Sequence, residues 1–240
     1  MDGSRSPYVA ARWRLAGHNL PALSGAVLVG DLVRRALMSH AAGIGGRDAI
    51  PGTLSGHGEG GDRIFFLPED ADRDGRIDHV LLYRAGGFDN VDLRIATSLR
   101  RLWAGSFGEW QVVETWVAQR DEPLGSLIRP SRRWESLTPC VCPIHWKNPP
   151  LRTLSRLCRD AALPPPSAAT PSPDMATRTA GSFAWLRPDQ DNRPPDRRGG
   201  FWTLTFPEPI RRPVALGFNQ FYGLGLFLPG DADAWDASPA

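Results

Sequence analysis

IFFLPEDADRDGRIDHVLLY, residues 64–83, decides the fold. Two short β-type runs, IFFL at 64–67 and VLLY at 80–83, flank the polar stretch PEDADRDGRID, and the pattern reads as a β-hairpin. Upstream, YVAARWRL (8–15) predicts a strand. GAVLVGDLVRRALMS (25–39) predicts a helix, with apolar residues at helical spacing and Arg34 and Arg35 on the other face. Downstream, residues 92–103 predict a second helix with Leu93, Ala96, Leu99 and Leu102 or Trp103 inward, and residues 110–117 a further strand. The order β-α-β-β-α-β is that of the ferredoxin-like unit, whose four-stranded antiparallel sheet is also the platform of RNA-recognition modules.

Beyond residue 120 the signals weaken. Residues 134–144 predict a strand, 151–162 a short helix ended by the prolines at 164–166, and 201–206 and 214–218 two more strands. Between them, 164–174 and 187–200 are rich in Pro, Ser, Asp and Arg, as expected of mobile surface loops. The chain is therefore expected to be α+β, with tandem ferredoxin-like units. A first unit over 1–120 is followed by a degraded second copy over 121–230, and an acidic tail occupies 231–240.

The second copy ends in GFNQFYGLGLFLP (217–229), three glycines inside a run apolar enough for a buried strand. A glycine there costs roughly 0.5–1 kcal/mol relative to alanine, so such residues usually mark a bulge or a close backbone approach.

The 240 residues are 41% apolar and contain no continuous hydrophobic run of membrane-spanning length, so a soluble, cytoplasmic chain without a signal peptide is expected. Lys147 is the only lysine, so 27 of the 28 basic residues are arginine. Arginine offers a fork for phosphate and a flat face for bases, although Ala, Gly, Pro and Arg together also reflect GC-rich coding. Three candidate cationic patches follow: Arg94, Arg100 and Arg101; Arg129, Arg132 and Arg133; and Arg193, Arg197 and Arg198.

Cys140, Cys142 and Cys158 form neither a CxxC pair nor a second ligand pair, and they predict buried thiols with no zinc and no disulfide. Asp70, Asp72 and Asp74 fall at positions 1, 3 and 5 of an EF-hand-type loop, with Gly75 at position 6. The twelfth position is Leu81 and the flanks read as strands, so the aspartates are expected to cap turns, and no metal ion or other cofactor is expected. Of the five histidines, His18 and His40 read as structural or solvated and His79 begins a strand. His57 lies in the glycine-rich stretch LSGHGEGG, and His145 stands beside Lys147, downstream of Arg132 and Arg133. An imidazole near cations and phosphate is the kind of group that RNA cleavage uses.

SRRWESLTPCVCPIHWK (131–147), LPEDADRDGRIDHVLLY (67–83), RRALMS (34–39) and ALGFNQFYGLGLFLP (215–229) together resemble the C-terminal half of the fused RAMP-type subunit of type I-G (formerly I-U) CRISPR effector complexes. The resemblance runs as four ordered blocks over nearly all of residues 8–229. It implies a tandem RAMP fold, crRNA or repeat RNA as partner together with other subunits of the effector complex, and no membrane. It also implies a C-terminal glycine-rich loop that contacts RNA. Gly217, Gly223 and Gly225 would then let phosphates approach backbone N–H groups, Phe221 and Tyr222 would stack on bases, and Arg132 and Arg133 would hold the backbone.

The family usually carries a histidine just before its Gly-Leu-Gly-Leu-Phe run, where this chain has Phe221. It also tends to have a His-x-His pair before the acidic loop, where this chain has Asp62 and Arg63. Its chemistry is metal-independent attack of a ribose 2′-hydroxyl on the adjacent phosphate, which needs a base, an acid and cations. His145 and His57 are the candidates for acid and base, with Lys147 and Arg133 to steady the phosphate. A chain that only holds processed RNA needs the arginines and aromatics alone. The residues leave an endoribonuclease and a non-catalytic holder both open.

Overall fold

The computed structural model describes residues 7–45, 63–105, 108–145, 149–172, 180–188, 190–194 and 199–230. The chain opens with strand β1 (Tyr8–Ala16) and helix α1 (Ala26–Gly45), then the hairpin of β2 (Phe65–Glu69) and β3 (His79–Tyr83). Helix α2 (Asn90–Ser98) leads to a short β4 (Arg101–Trp103) and the long β5 (Glu109–Gln119). The sheet order is β2-β3-β1-β5-β4, so the predicted ferredoxin-like order stands, with β4 added at the edge.

Alternation along β1 explains how the sheet is used. Trp13 faces the helices and its indole N–H donates to the Ala96 carbonyl at 3.2 Å. Arg12 faces the other way, opposite Leu81 of β3 and Trp116 of β5. Its guanidinium lies 2.7 Å from the carboxylate of Glu69, which is fully buried.

α2 is shorter than the spacing predicted. Asp89 caps its start by accepting the Asp92 N–H at 2.7 Å, and Leu99 leaves the helical region with φ −63° and ψ 125°. Leu99 and Leu102 are both buried, which satisfies a helix and a helix-to-strand turn equally, whereas Trp103 points outward with 66% exposure.

The second half builds β6 (Ser131–Ser136), β7 (Cys140–Val141), α3 (Pro150–Asp160), β8 (Ala168–Pro171), β9 (Gly199–Gly200), β10 (Trp202–Ile210), β11 (Val214–Ala215) and β12 (Leu226–Pro229). The sheet order β11-β12-β6-β10-β8 repeats the first topology, with β6, β8, β10 and β12 in the places of β1, β2, β3 and β5. No α-helix stands between β10 and β12: residues 211–225 form β11, a short 3-10 helix (Gln220–Tyr222) and the glycine-rich loop. This is the degraded copy. The predicted loop at 164–174 in fact supplies edge strand β8, and the single strand predicted over 134–144 is two.

α3 covers one face of the second sheet, packing Leu154, Leu157 and Cys158 against Trp134, Leu204 and Phe227. The three cysteines are buried thiols outside any disulfide, and burial pushes the Cys158 thiol up to about 12. The larger core runs through both halves, joining Val33, Phe66 and Leu81 to Leu137, Tyr222, Leu224 and Leu226. None of the described helices is long and apolar enough to cross a membrane.

Candidate nucleic-acid interface

The face of the first sheet that bears Arg12 is not an open platform along its whole length. Leu67, Leu81 and Ala10 are fully buried, and Leu127 and Ile128 of the connection to β6 share their core. The same connection is fastened by the Ser126 N–H, which donates to Glu69 Oε1 at 2.7 Å. Exposed groups remain on this face where Arg14 pairs with Glu114 at 2.9 Å, next to a 37%-exposed Trp116.

The glycine-rich loop lies where the two halves meet. Gly217, Gly223 and Gly225 all have positive φ (94°, 92° and 63°), as does Asn219 (52°). A Cβ on Gly223 would lie 2.6 Å from Pro68 Cδ, and one on Gly217 or Gly225 would collide with the carbonyl oxygen of Val141 or Leu216. The missing side chains thus admit the chain's own backbone at Gly217 and Gly225 and the Pro68 ring at Gly223. Two of the glycine N–H groups are engaged internally: Gly225 donates to the Pro139 carbonyl at 3.0 Å, and Gly217 to Gln220 Oε1 at 3.0 Å. Thr138 Oγ1 closes the loop by donating to the Gly223 carbonyl at 2.7 Å.

Held in this way, the loop presents two aromatic rings to β2. Tyr222 is buried and stacks on Phe66 at 5.9 Å and 6°, with the Arg187 guanidinium 4.5 Å from its ring. Phe221 is only half-buried; it meets Phe65 at 4.7 Å, and the Arg63 guanidinium sits 5.1 Å from its ring. Gly30 permits the close approach of α1, because a Cβ there would lie 2.6 Å from the Tyr222 carbonyl oxygen.

Cations gather beside this seat. Asp31 on α1 is buried, and one carboxylate receives Arg34 (2.9 Å), Arg35 (3.1 Å) and Arg187 (3.4 Å). Three guanidinium groups on one carboxylate leave positive charge over, and Arg35 is half exposed. Its side chain also borders an apolar groove of about 960 Å³ between α1 and the β4–β5 hairpin, lined by Leu28, Leu32 and Trp103.

The expected site residues do not fall in one place. Arg132 and Arg133 are exposed on β6 and pair with Glu208 (3.7 Å) and Glu135 (2.8 Å). Arg133 meets Gly230 at the far end of β12, so the strand separates it from Gly225 by roughly 15 Å. The arginines against the loop are Arg63 and Arg187. His145 is exposed in the connection after β7, whose Val141 carbonyl accepts the Phe218 N–H at 2.8 Å. His57 and Lys147 lie outside the described residues, as do Arg197, Arg198 and the acidic tail. His40 Nδ1 lies 3.1 Å from Ser98 Oγ, and His18 is exposed.

Sequence reasoning passed over Arg63 and Arg187. Arg63 does adjoin the FF pair, but only tertiary packing brings residue 187 to residue 222.

The acidic loop caps its own turns as expected: Asp72 accepts the Asp74 N–H (3.2 Å), Asp74 the Arg76 N–H (2.7 Å) and Asp78 the Ala71 N–H (2.9 Å). Burial alone would raise the Asp78 carboxyl, but hydrogen bonds from His79 and the Ala71 N–H hold it below its ordinary value. Asp70 goes the other way. Burial, reinforced by Asp74 and Asp78, raises it to about 6 in spite of the Gly75 N–H.

No family model matches the sequence, and no curated protein matches it. Among solved structures the chain is similar to one described as a Cas6 product complex, with 14% identity, a TM-score of 0.48, and coverage of 93% of this chain and 100% of that one. A CRISPR associated protein Cas6 gives 9% identity and a TM-score of 0.49 at the same coverage. A RAMP protein binding different RNA substrates gives 9% and 0.44, covering 92% of this chain and 98% of that one. These are loose likenesses of fold, and the reading of the site rests on its own geometry.

Proposed function

We propose that this chain is an RNA-binding, CRISPR-associated protein of RAMP type that processes or holds the repeat-derived part of crRNA in a type I effector complex. The observation that carries the reading is the seat of Phe221, a half-buried ring between Phe65 and Arg63, beside the arginine-rich ridge of Arg35 and Arg187. A half-buried ring with one guanidinium against it, next to a second arginine that covers Tyr222, suits a stacked base and its phosphates. The four sequence blocks that resemble the type I-G subunit support the choice of RNA.

Within this reading the glycines act by shaping the loop. Gly217, Gly223 and Gly225 bring Phe221 and Tyr222 onto β2, and Arg132 and Arg133 extend the cationic track at the other end of β12. If the chain cleaves, the ribose 2′-hydroxyl attacks the adjacent phosphorus and the 5′-oxygen leaves, giving a cyclic phosphate and a 5′-hydroxyl. His145 and His57 are then the acid and base, and Lys147 neutralises the phosphorane. A non-catalytic holder is the second reading: holding RNA needs only the arginines and aromatic rings that gather at the seat.

Incubating the full chain with labelled repeat RNA from its own locus, with and without EDTA, and reading binding and cutting from the same samples tests both. Binding that weakens in Phe221→Ala is expected, and binding indifferent to Phe221 would remove the seat from the interface. Cutting lost in His145→Ala establishes the nuclease; tight binding without cutting establishes the holder.

A further inference from the structure

The hairpin loop between β2 and β3 leaves one buried carboxylate oxygen bare. Asp70 is 1% exposed, and its Oδ2 accepts the Gly75 N–H at 3.0 Å. Its Oδ1 is buried and has no hydrogen-bond partner among the described residues. One ligand atom from each of Asp70, Asp72 and Asp74 lies within 4.8 Å of the others. A buried polar atom without a partner is destabilising, and adjacent carboxylates add their repulsion. A bound cation removes both penalties at once.

We propose that this loop binds one hard divalent cation of the Ca²⁺ class through the carboxylates of Asp70, Asp72 and Asp74. The donors are all oxygen, which excludes a soft metal. The spacing is that of positions 1, 3 and 5 of a calcium loop, and Gly75 supplies the turn at position 6 with φ 89°.

Two features set the strength of the site. Leu81 stands where a bidentate glutamate would be, and Asp78 is committed to Ala71 and to His79, 3.1 Å away. Arg73 and Arg76 add positive charge, although Arg76 turns its guanidinium to the Leu20 carbonyl at 2.7 Å. A dissociation constant on the order of 10⁻⁵–10⁻³ M follows.

The cation's role is structural, because the loop fastens the entry to α1. Leu23 donates its N–H to the Gly75 carbonyl at 2.8 Å, and Ile77 donates to the Pro21 carbonyl at 2.7 Å. Fixing Asp70, Asp72 and Asp74 around an ion thus fixes the segment from which α1 starts. The proposal does not depend on RNA.

The test is calorimetric titration of the EDTA-stripped full chain with CaCl₂, alongside thermal unfolding in the same solutions. One ion per chain is expected, with a rise in Tm of several degrees at millimolar Ca²⁺ and a weaker response to Mg²⁺. The Asp72→Asn, Asp74→Asn double variant alters two exposed side chains, so it keeps the fold. It should lose affinity by about tenfold or more. The proposal is overturned by absence of heat with an unchanged Tm, by equal binding in the double variant, or by an equal shift with NaCl at matched ionic strength.

Discussion

In the first sheet the chain passes from β3 to β5 through helix α2, which lies over Trp13 and shields that face. In the second it passes from β10 to β12 through residues 211–225, which form no α-helix and instead reach across to α1 and β2. The strand orders are otherwise equivalent. A ferredoxin-like unit thus survives the loss of one helix when the vacated stretch packs on a neighbour, and that stretch becomes free to present side chains at the junction.

The comparison predicts the largest effect where the first unit is bound to the connection. Glu69→Gln leaves Arg12 buried without its countercharge and should destabilise the fold by about 3–5 kcal/mol, measured by urea unfolding. A loss under about 1 kcal/mol would mean that the connection is held by its apolar residues alone.

Next comes the contact between α1 and the loop that replaces the helix. Gly30→Ala should destabilise by about 2–3 kcal/mol, because the new methyl meets the carbonyl oxygens of Tyr222 and Phe66 at 2.6 and 2.8 Å. Gly25→Ala is its control: nothing lies within 4 Å of that Cβ, and a change within about 0.5 kcal/mol is expected in the same melts. Equal effects would show that the loop does not press on α1.

Phe221→Ala sharpens the functional side of the contrast. It should weaken RNA binding by about 1–3 kcal/mol, read by filter binding, since one stacking face is lost. The smallest effect belongs to the exposed pair on β6. Arg132→Ala with Arg133→Ala should lower the slope of log affinity against log salt by about 1.5 and leave the melting curve nearly unchanged.

Much of this contrast was legible in the sequence, because period and punctuation write the first unit plainly. β1, α1, the 64–83 hairpin and β5 all carry amphipathic patterns bounded by turn residues. Spacing alone carries α2 past its end, because Leu99 and Leu102 obey helical spacing while serving a turn and a strand. β8 is not legible because Ala168–Pro171 holds two alanines, a threonine and a proline at a sheet edge, and the bounds of β12 are blurred because Leu226–Pro229 closes an apolar run interrupted by glycines.

The candidate site was legible at Phe221, Tyr222 and the glycines, where an aromatic and glycine-rich composition stands out. Glycines in such a run signal a close approach, and their φ values and nearest atoms assign it to the chain itself: carbonyl groups at Gly217 and Gly225, and the Pro68 ring at Gly223. Arg63 and Arg187 stand 158 and 35 residues before the rings they cover, a relation that no local pattern carries.

The core that runs through both sheets governs how the molecule comes apart. Parting the two halves opens that core and exposes Leu81 and Leu226 together, although the second sheet keeps the separate cluster that α3 covers. The first sheet should accordingly lose its structure in the event that strips the loop from it, and any residual order should be confined to the α3-covered sheet.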